Sequence, residues 1–134
     1  MALSYQTLQE LVEIDSPTGY TQQACDYIFN LLKSYGYQPR RTNKGAVVCA
    51  LGPNPTLAIA AHVDTLGAIV SGIKKDGTLS FSLVGGLQLA TAEGEYVNVV
   101  TMKGKSIPGT LLFNNPSSHA NNTREDHKRS IDNM

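Results

Sequence analysis

The run Leu57-Ala58-Ile59-Ala60-Ala61-His62-Val63-Asp64-Thr65-Leu66-Gly67 constrains this chain more than any other stretch of it. Five small or apolar residues lead straight into His-x-Asp. An imidazole or a carboxylate left without a partner inside a buried strand carries a large desolvation cost. The sequence therefore predicts a hydrophobic strand over 56–62 that delivers both groups at its carboxyl end. Residues two apart share one face of a strand, so His62 and Asp64 are presented together. Ligands of open α/β sheets bind at that edge. A carboxylate beside an imidazole is also the arrangement that orients a metal-binding histidine. A satisfied surface His-Asp pair would leave the same local signature.

The elements before this run read α, α, β, β, β. Ser4 is placed to cap a first helix with Leu8, Leu11 and Val12 on one face, and Ser16-Pro17-Thr18-Gly19 interrupts it. A second helix starts after Thr21. Its residues Ala24, Tyr27, Ile28, Leu31, Leu32 and Tyr35 recur at three and four, and Gly36 ends it. Strands over 38–42 and 46–51 flank an Asn43-Lys44-Gly45 turn, and Gly52-Pro53-Asn54-Pro55 leads into the strand over 56–62.

After Gly67 the pattern changes to short strands alone. Strands over 68–73 and 79–84 join across Lys74-Lys75-Asp76-Gly77, and Gly85-Gly86 breaks the run. A strand over 96–102 turns back at Lys103-Gly104-Lys105. Pro108-Gly109 interrupts the next segment, which 110–113 completes. No helix is expected between 67 and 115, and the strand spacing predicts a small barrel or sandwich. The fold class is thus α/β, two helices on part of a mixed sheet, followed by a partial β-barrel-like region. The boundary falls after the His-x-Asp, giving regions 1–67 and 68–134.

Formal net charge is zero, which removes bulk attraction to nucleic acid or an anionic membrane. Trp is absent and aromatics are 7%, so the core must be aliphatic and small. Cys25 and Cys49 fall in a helical and a strand pattern and read as thiols rather than a disulfide framework. The opening Met1-Ala2-Leu3-Ser4-Tyr5-Gln6 lacks a basic region followed by an apolar stretch, so a cytoplasmic protein is expected.

Together these motifs resemble the first part of the glutamyl aminopeptidase or tetrahedral aminopeptidase family. The resemblance rests on residues 56–67, Gly85-Gly86, Met102-Lys103-Gly104 and Pro108-Gly109, with Leu8-Gln9-Glu10-Leu11 and Ser16-Pro17-Thr18-Gly19 before them. It implies a cytosolic, oligomeric metallopeptidase that removes N-terminal residues from peptides. It also implies two divalent ions, zinc or cobalt, that activate a bridging water and hold the substrate amine. In that family a β-rich dimerisation domain interrupts the catalytic α/β domain just after the His-x-Asp. The resemblance makes His62 a metal ligand and Asp64 the catalytic-site carboxylate that orients it.

The family's bridging Asp, its Glu-Glu pair and its late histidine have no match here, and no Glu-Glu pair occurs in the 134 residues. Asp132-Asn133 does not take the place of the bridging Asp-Asn, because Met134 stands where that motif has Arg. The chain is therefore expected to be an N-terminal fragment, inactive alone and holding no metal tightly. The alternative is a non-catalytic β-domain interaction module or decayed gene product. A glycosidase needs two opposed carboxylates, and only Asp64 has a recognisable setting. His119 and His127, Ser117-Ser118-His119 and the charged run Arg124–Arg129 read as a solvated polar tail.

Overall fold

The computed structural model describes residues 4–114 and 130–134. Two compact units, Met1–Gly67 and Ala68–Met134, divide the chain.

In the first unit, helix α1 spans Tyr5–Val12, and the Ser4 hydroxyl accepts the Thr7 amide at 3.2 Å as an N-cap. Helix α2 spans Gln22–Ser34; Thr21 precedes it but makes no side-chain cap. Gly36 ends α2 at φ +84°. Its amide donates to Lys33 O at 2.9 Å, and the Tyr37 amide donates to Leu32 O at 3.1 Å. This pair of bonds is the Schellman closure, and it needs the left-handed conformation glycine adopts without a Cβ penalty. Tyr27 joins the two helices by donating its hydroxyl to Glu10 Oε2 at 2.7 Å.

Strands β1 (Arg40–Arg41) and β2 (Val47–Val48) form an antiparallel hairpin, Arg40 opposite Val48 and Arg41 opposite Val47. Its turn closes through Gly45 N–H to Thr42 O at 3.0 Å and Thr42 N–H to Ala46 O at 2.9 Å. Helix α2 packs on β2. Arg41 pairs with Asp26 and lies 5.1 Å from the Phe29 ring centroid, a cation over an aromatic face. Cys25 is buried on α2, and both Cys25 and Cys49 are free.

The expected strand over 56–62 does not form: those residues carry no strand pairing and are exposed. Leu57 is 79% and Ile59 91% exposed. A strand exists only through its ladder, and no described strand lies alongside this segment. Among the described residues the expected mixed sheet is likewise absent: the two strands of this unit are antiparallel, and its parallel pairing is one isolated bridge between Pro17 and Thr65.

In the second unit, strands β3 (Gly67–Ile73) and β4 (Leu79–Val84) form one hairpin, and β5 (Tyr96–Val100) and β6 (Ser106–Thr110) another. Asp76 organises the first turn, its Oδ1 accepting the Thr78 amide at 3.0 Å and hydroxyl at 2.8 Å. Pro108 and Gly109 do not interrupt β6 as expected; they lie inside it, Pro108 opposite Asn98 and Gly109 opposite Val97. A strand with an open outer edge tolerates a proline that cannot donate there.

One turn of helix, α3 (Leu89–Ala92), occupies the stretch expected to hold none. Four residues are too few to show a helical period. Leu89, Phe113 and Met134 form the buried cluster, with Phe81, Leu83 and Leu111 packed against it and a 3₁₀ turn at Ile131–Asn133. The described strands remain separate two-stranded sheets and close no barrel. The charged tail, with His119, His127 and Ser117-Ser118-His119, lies outside the described residues. Among the described residues no helix is long and apolar enough to cross a membrane.

Candidate functional site

The Ser16-Pro17-Thr18-Gly19 turn and the residues after His62 run side by side. Thr65 donates its amide to Ser16 O at 2.8 Å, and Pro17 and Thr65 form the parallel bridge. The turn closes on itself through Tyr20 N–H to Pro17 O at 2.7 Å. These backbone bonds bring the Thr18 hydroxyl to Asp64, where it donates to Oδ2 at 2.6 Å.

The other oxygen, Asp64 Oδ1, lies 3.2 Å from His62 Nδ1. The same nitrogen is 3.0 Å from the backbone carbonyl oxygen of Asp64. An ionised carboxylate and a carbonyl can only accept, so Nδ1 is the nitrogen that donates here, which in a neutral imidazole leaves the lone pair on Nε2. The His62 side chain is 85% exposed. The Thr18 hydroxyl is the main reason the Asp64 carboxyl sits below the usual aspartate range, and its own amide and the neighbouring imidazole add to this.

The sequence-predicted pair therefore meets, but on an extended segment rather than at the end of a strand. Thr18 was not anticipated as part of it. Its turn is visible in the sequence, but nothing local links a hydroxyl at 18 to a carboxylate 46 positions later. Among the described residues no group of three or more His, Cys, Asp or Glu is placed to hold a metal ion.

The model of the M42 glutamyl aminopeptidase family matches residues 45–134. A Bacillus subtilis (strain 168) protein named "Putative aminopeptidase YhfE" is 39% identical over 130 residues, covering 95% of this chain and 38% of its own length. The glutamyl aminopeptidase of Lactococcus lactis subsp. cremoris (strain MG1363) is 30% identical over 108 residues, 78% of this chain and 30% of its own. Among solved structures, the PhTET1-12s dodecamer matches with a TM-score of 0.76 at 25% identity, over 92% of this chain and 37% of that one. A TET aminopeptidase from Thaumarchaeota archaeon SCGC AB-539-E09 gives 0.79 at 24% identity, over 92% and 36%, a likeness of fold. The chain thus spans well under half the length of each of these proteins.

Proposed function

Because this chain belongs to the M42 glutamyl aminopeptidase family of metallopeptidases and matches its N-terminal portion, we propose that His62 is a metal ligand and Asp64 its orienting carboxylate in an aminopeptidase. The observation that carries this reading is the setting of His62. Two acceptors, Asp64 Oδ1 and the Asp64 backbone carbonyl, face Nδ1, and the ring is exposed. A neutral imidazole anchored through one nitrogen is the form in which histidine binds metals.

A catalytic zinc takes about three protein ligands, and among the described residues no group of three or more His, Cys, Asp or Glu gathers at this place. The pair fits one corner of a metal centre and not the whole of it. Divalent ions there would supply Lewis-acid polarisation of the scissile carbonyl of a peptide. This chain's own contribution is to fix the imidazole, its tautomer and its outward lone pair. On this reading residues 1–67 belong to the catalytic unit and 68–134 to a β-rich assembly unit of a cytoplasmic homo-oligomer. The dodecameric state of PhTET1-12s supports the oligomer. The isolated chain does not turn over peptides.

The test pairs two measurements on the purified chain. Titration with Co²⁺, followed by ¹⁵N NMR of the histidines, is expected to perturb His62 at Nε2, and His62→Ala to remove that response. A Co²⁺ response that bypasses His62 overturns the ligand assignment. Aminoacyl-nitroanilide substrates with added Zn²⁺ or Co²⁺ are expected to give no turnover. Turnover that disappears in His62→Ala would show the chain to be active on its own.

A further inference from the structure

We propose that Thr18 is the positioning residue of the His62 site, a reading that takes its significance from the proposed function. Residues 56–62 have no ladder among the described residues to hold them, yet the His62–Asp64 contact requires a carboxylate fixed in one rotamer. The Ser16–Gly19 turn supplies that constraint. Its backbone is tied to the Asp64 segment at Ser16 O and through the Pro17–Thr65 bridge. Thr18 sits directly after these ties with a β-branched side chain of restricted χ1.

The 2.6 Å separation of Thr18 Oγ1 and Asp64 Oδ2 is that of a hydroxyl donating to an ionised carboxylate. A carboxylate held at Oδ2 presents Oδ1 to His62 in one orientation. That oxygen, 3.2 Å from Nδ1, then selects the Nδ1–H tautomer. Without the hydroxyl, Asp64 is free to rotate, and Nδ1 keeps only the backbone carbonyl of Asp64 as acceptor. The imidazole then moves toward the Nε2–H tautomer that free histidine prefers in water, which blocks the nitrogen meant for a cation. Thr18 is exposed, so its replacement disturbs no packing.

The experiment uses the full chain labelled with ¹⁵N-histidine, free of metal, about two pH units above an ordinary histidine pKa. Long-range ¹H–¹⁵N spectra give the tautomer ratio of His62. The wild type is expected to be mainly Nδ1–H. Thr18→Val is expected to raise the Nε2–H to Nδ1–H ratio about threefold or more, the worth of a modest hydrogen bond, with backbone amide spectra unchanged outside the site. Thr18→Ser, which keeps the hydroxyl, is expected to restore the wild-type ratio. An unchanged ratio in Thr18→Val, or a changed one that Thr18→Ser fails to restore, overturns the assignment. A second arm titrates Co²⁺ alone, for which Thr18→Val is expected to weaken the His62 response about tenfold. A wild-type His62 that ignores Co²⁺ would sink the metal reading, while the metal-free tautomer ratio still decides the role of Thr18.

Discussion

A Cβ on Gly67 would stand 2.7 Å from the Cβ of Pro17, closer than real carbon atoms approach. Gly67 thus lets the chain after Asp64 pass directly over the Ser16–Gly19 turn. Because Pro17 is a ring rather than a flexible side-chain end, it cannot yield without opening the Pro17–Thr65 bridge. Gly67→Ala is therefore expected to destabilise the first unit by about 1–3 kcal/mol, the usual range for overpacking. It should also shift the amide resonances of Thr65 and the imidazole signals of His62. Thermal denaturation and amide NMR check this, and unchanged Thr65 and His62 signals would show that the crossing is slack.

Glu10 and Tyr27 provide a pH-dependent tie between α1 and α2. The Tyr27 hydroxyl is the main reason the Glu10 carboxyl lies below its ordinary range, with Gln6 adding to the effect. The same bond holds the Tyr27 phenol above its own range. A depressed Glu pKa stabilises the fold above the unfolded value of about 4.3 and is lost as pH falls through the folded value. A raised Tyr pKa stabilises below the unfolded value of about 10 and is lost as pH rises through the folded one. Tyr27→Phe is expected to return Glu10 to an ordinary titration, read by carboxyl ¹³C NMR. A Glu10 titration that is the same in both proteins would disprove the tie.

Much of the fold is legible because it is written locally. Ser4 caps α1, Gly36 closes α2, and Asp76-Gly77 turns β3 into β4, each through bonds spanning a few residues. The strand over 56–62 was not legible in the same way. Its apolar run states a tendency, but a strand depends on a neighbour that sequence does not name. Pro108-Gly109 misleads for the opposite reason. Both are breakers by local rule, yet they fit an outer edge that only pairing with Tyr96–Val100 defines. The contacts of the candidate site divide likewise: the His62–Asp64 contact joins residues two apart and is legible locally, while Thr18 reaches Asp64 across 46 positions.

Leu89 turns that local blind spot into a measurable quantity. It lies on the one-turn helix α3, is 7% exposed, and anchors the cluster with Phe113 and Met134. A single helical turn has little stability of its own, so α3 is held by this packing. Leu89→Ala is expected to cost about 2–3 kcal/mol, toward the lower end of buried leucine truncations, as read by urea denaturation. Leu89→Met, similar in volume, is expected to cost less than about 1.5 kcal/mol. Equal losses from both substitutions would show that shape, not buried volume, holds α3.

The last prediction concerns association. Leu57 and Ile59 are 79% and 91% exposed on an extended segment with no ladder partner among the described residues. Such a segment offers both apolar side chains and unpaired backbone groups, the combination that recruits another chain. The strand over 96–100 is a weaker source, because it is paired with β6 and Val99 and Val100 are half-buried. The chain is therefore expected to self-associate in a concentration-dependent way, seen by sedimentation velocity at micromolar concentrations. Replacing Leu57 with Ser and Ile59 with Lys is expected to move the distribution toward monomer. The helices, capped and tied by Ser4, Gly36 and the Tyr27–Glu10 bond, should keep their far-ultraviolet circular dichroism. A wild-type chain that sediments as one monomeric species across the concentration range would show that the segment is satisfied by contacts within the chain itself.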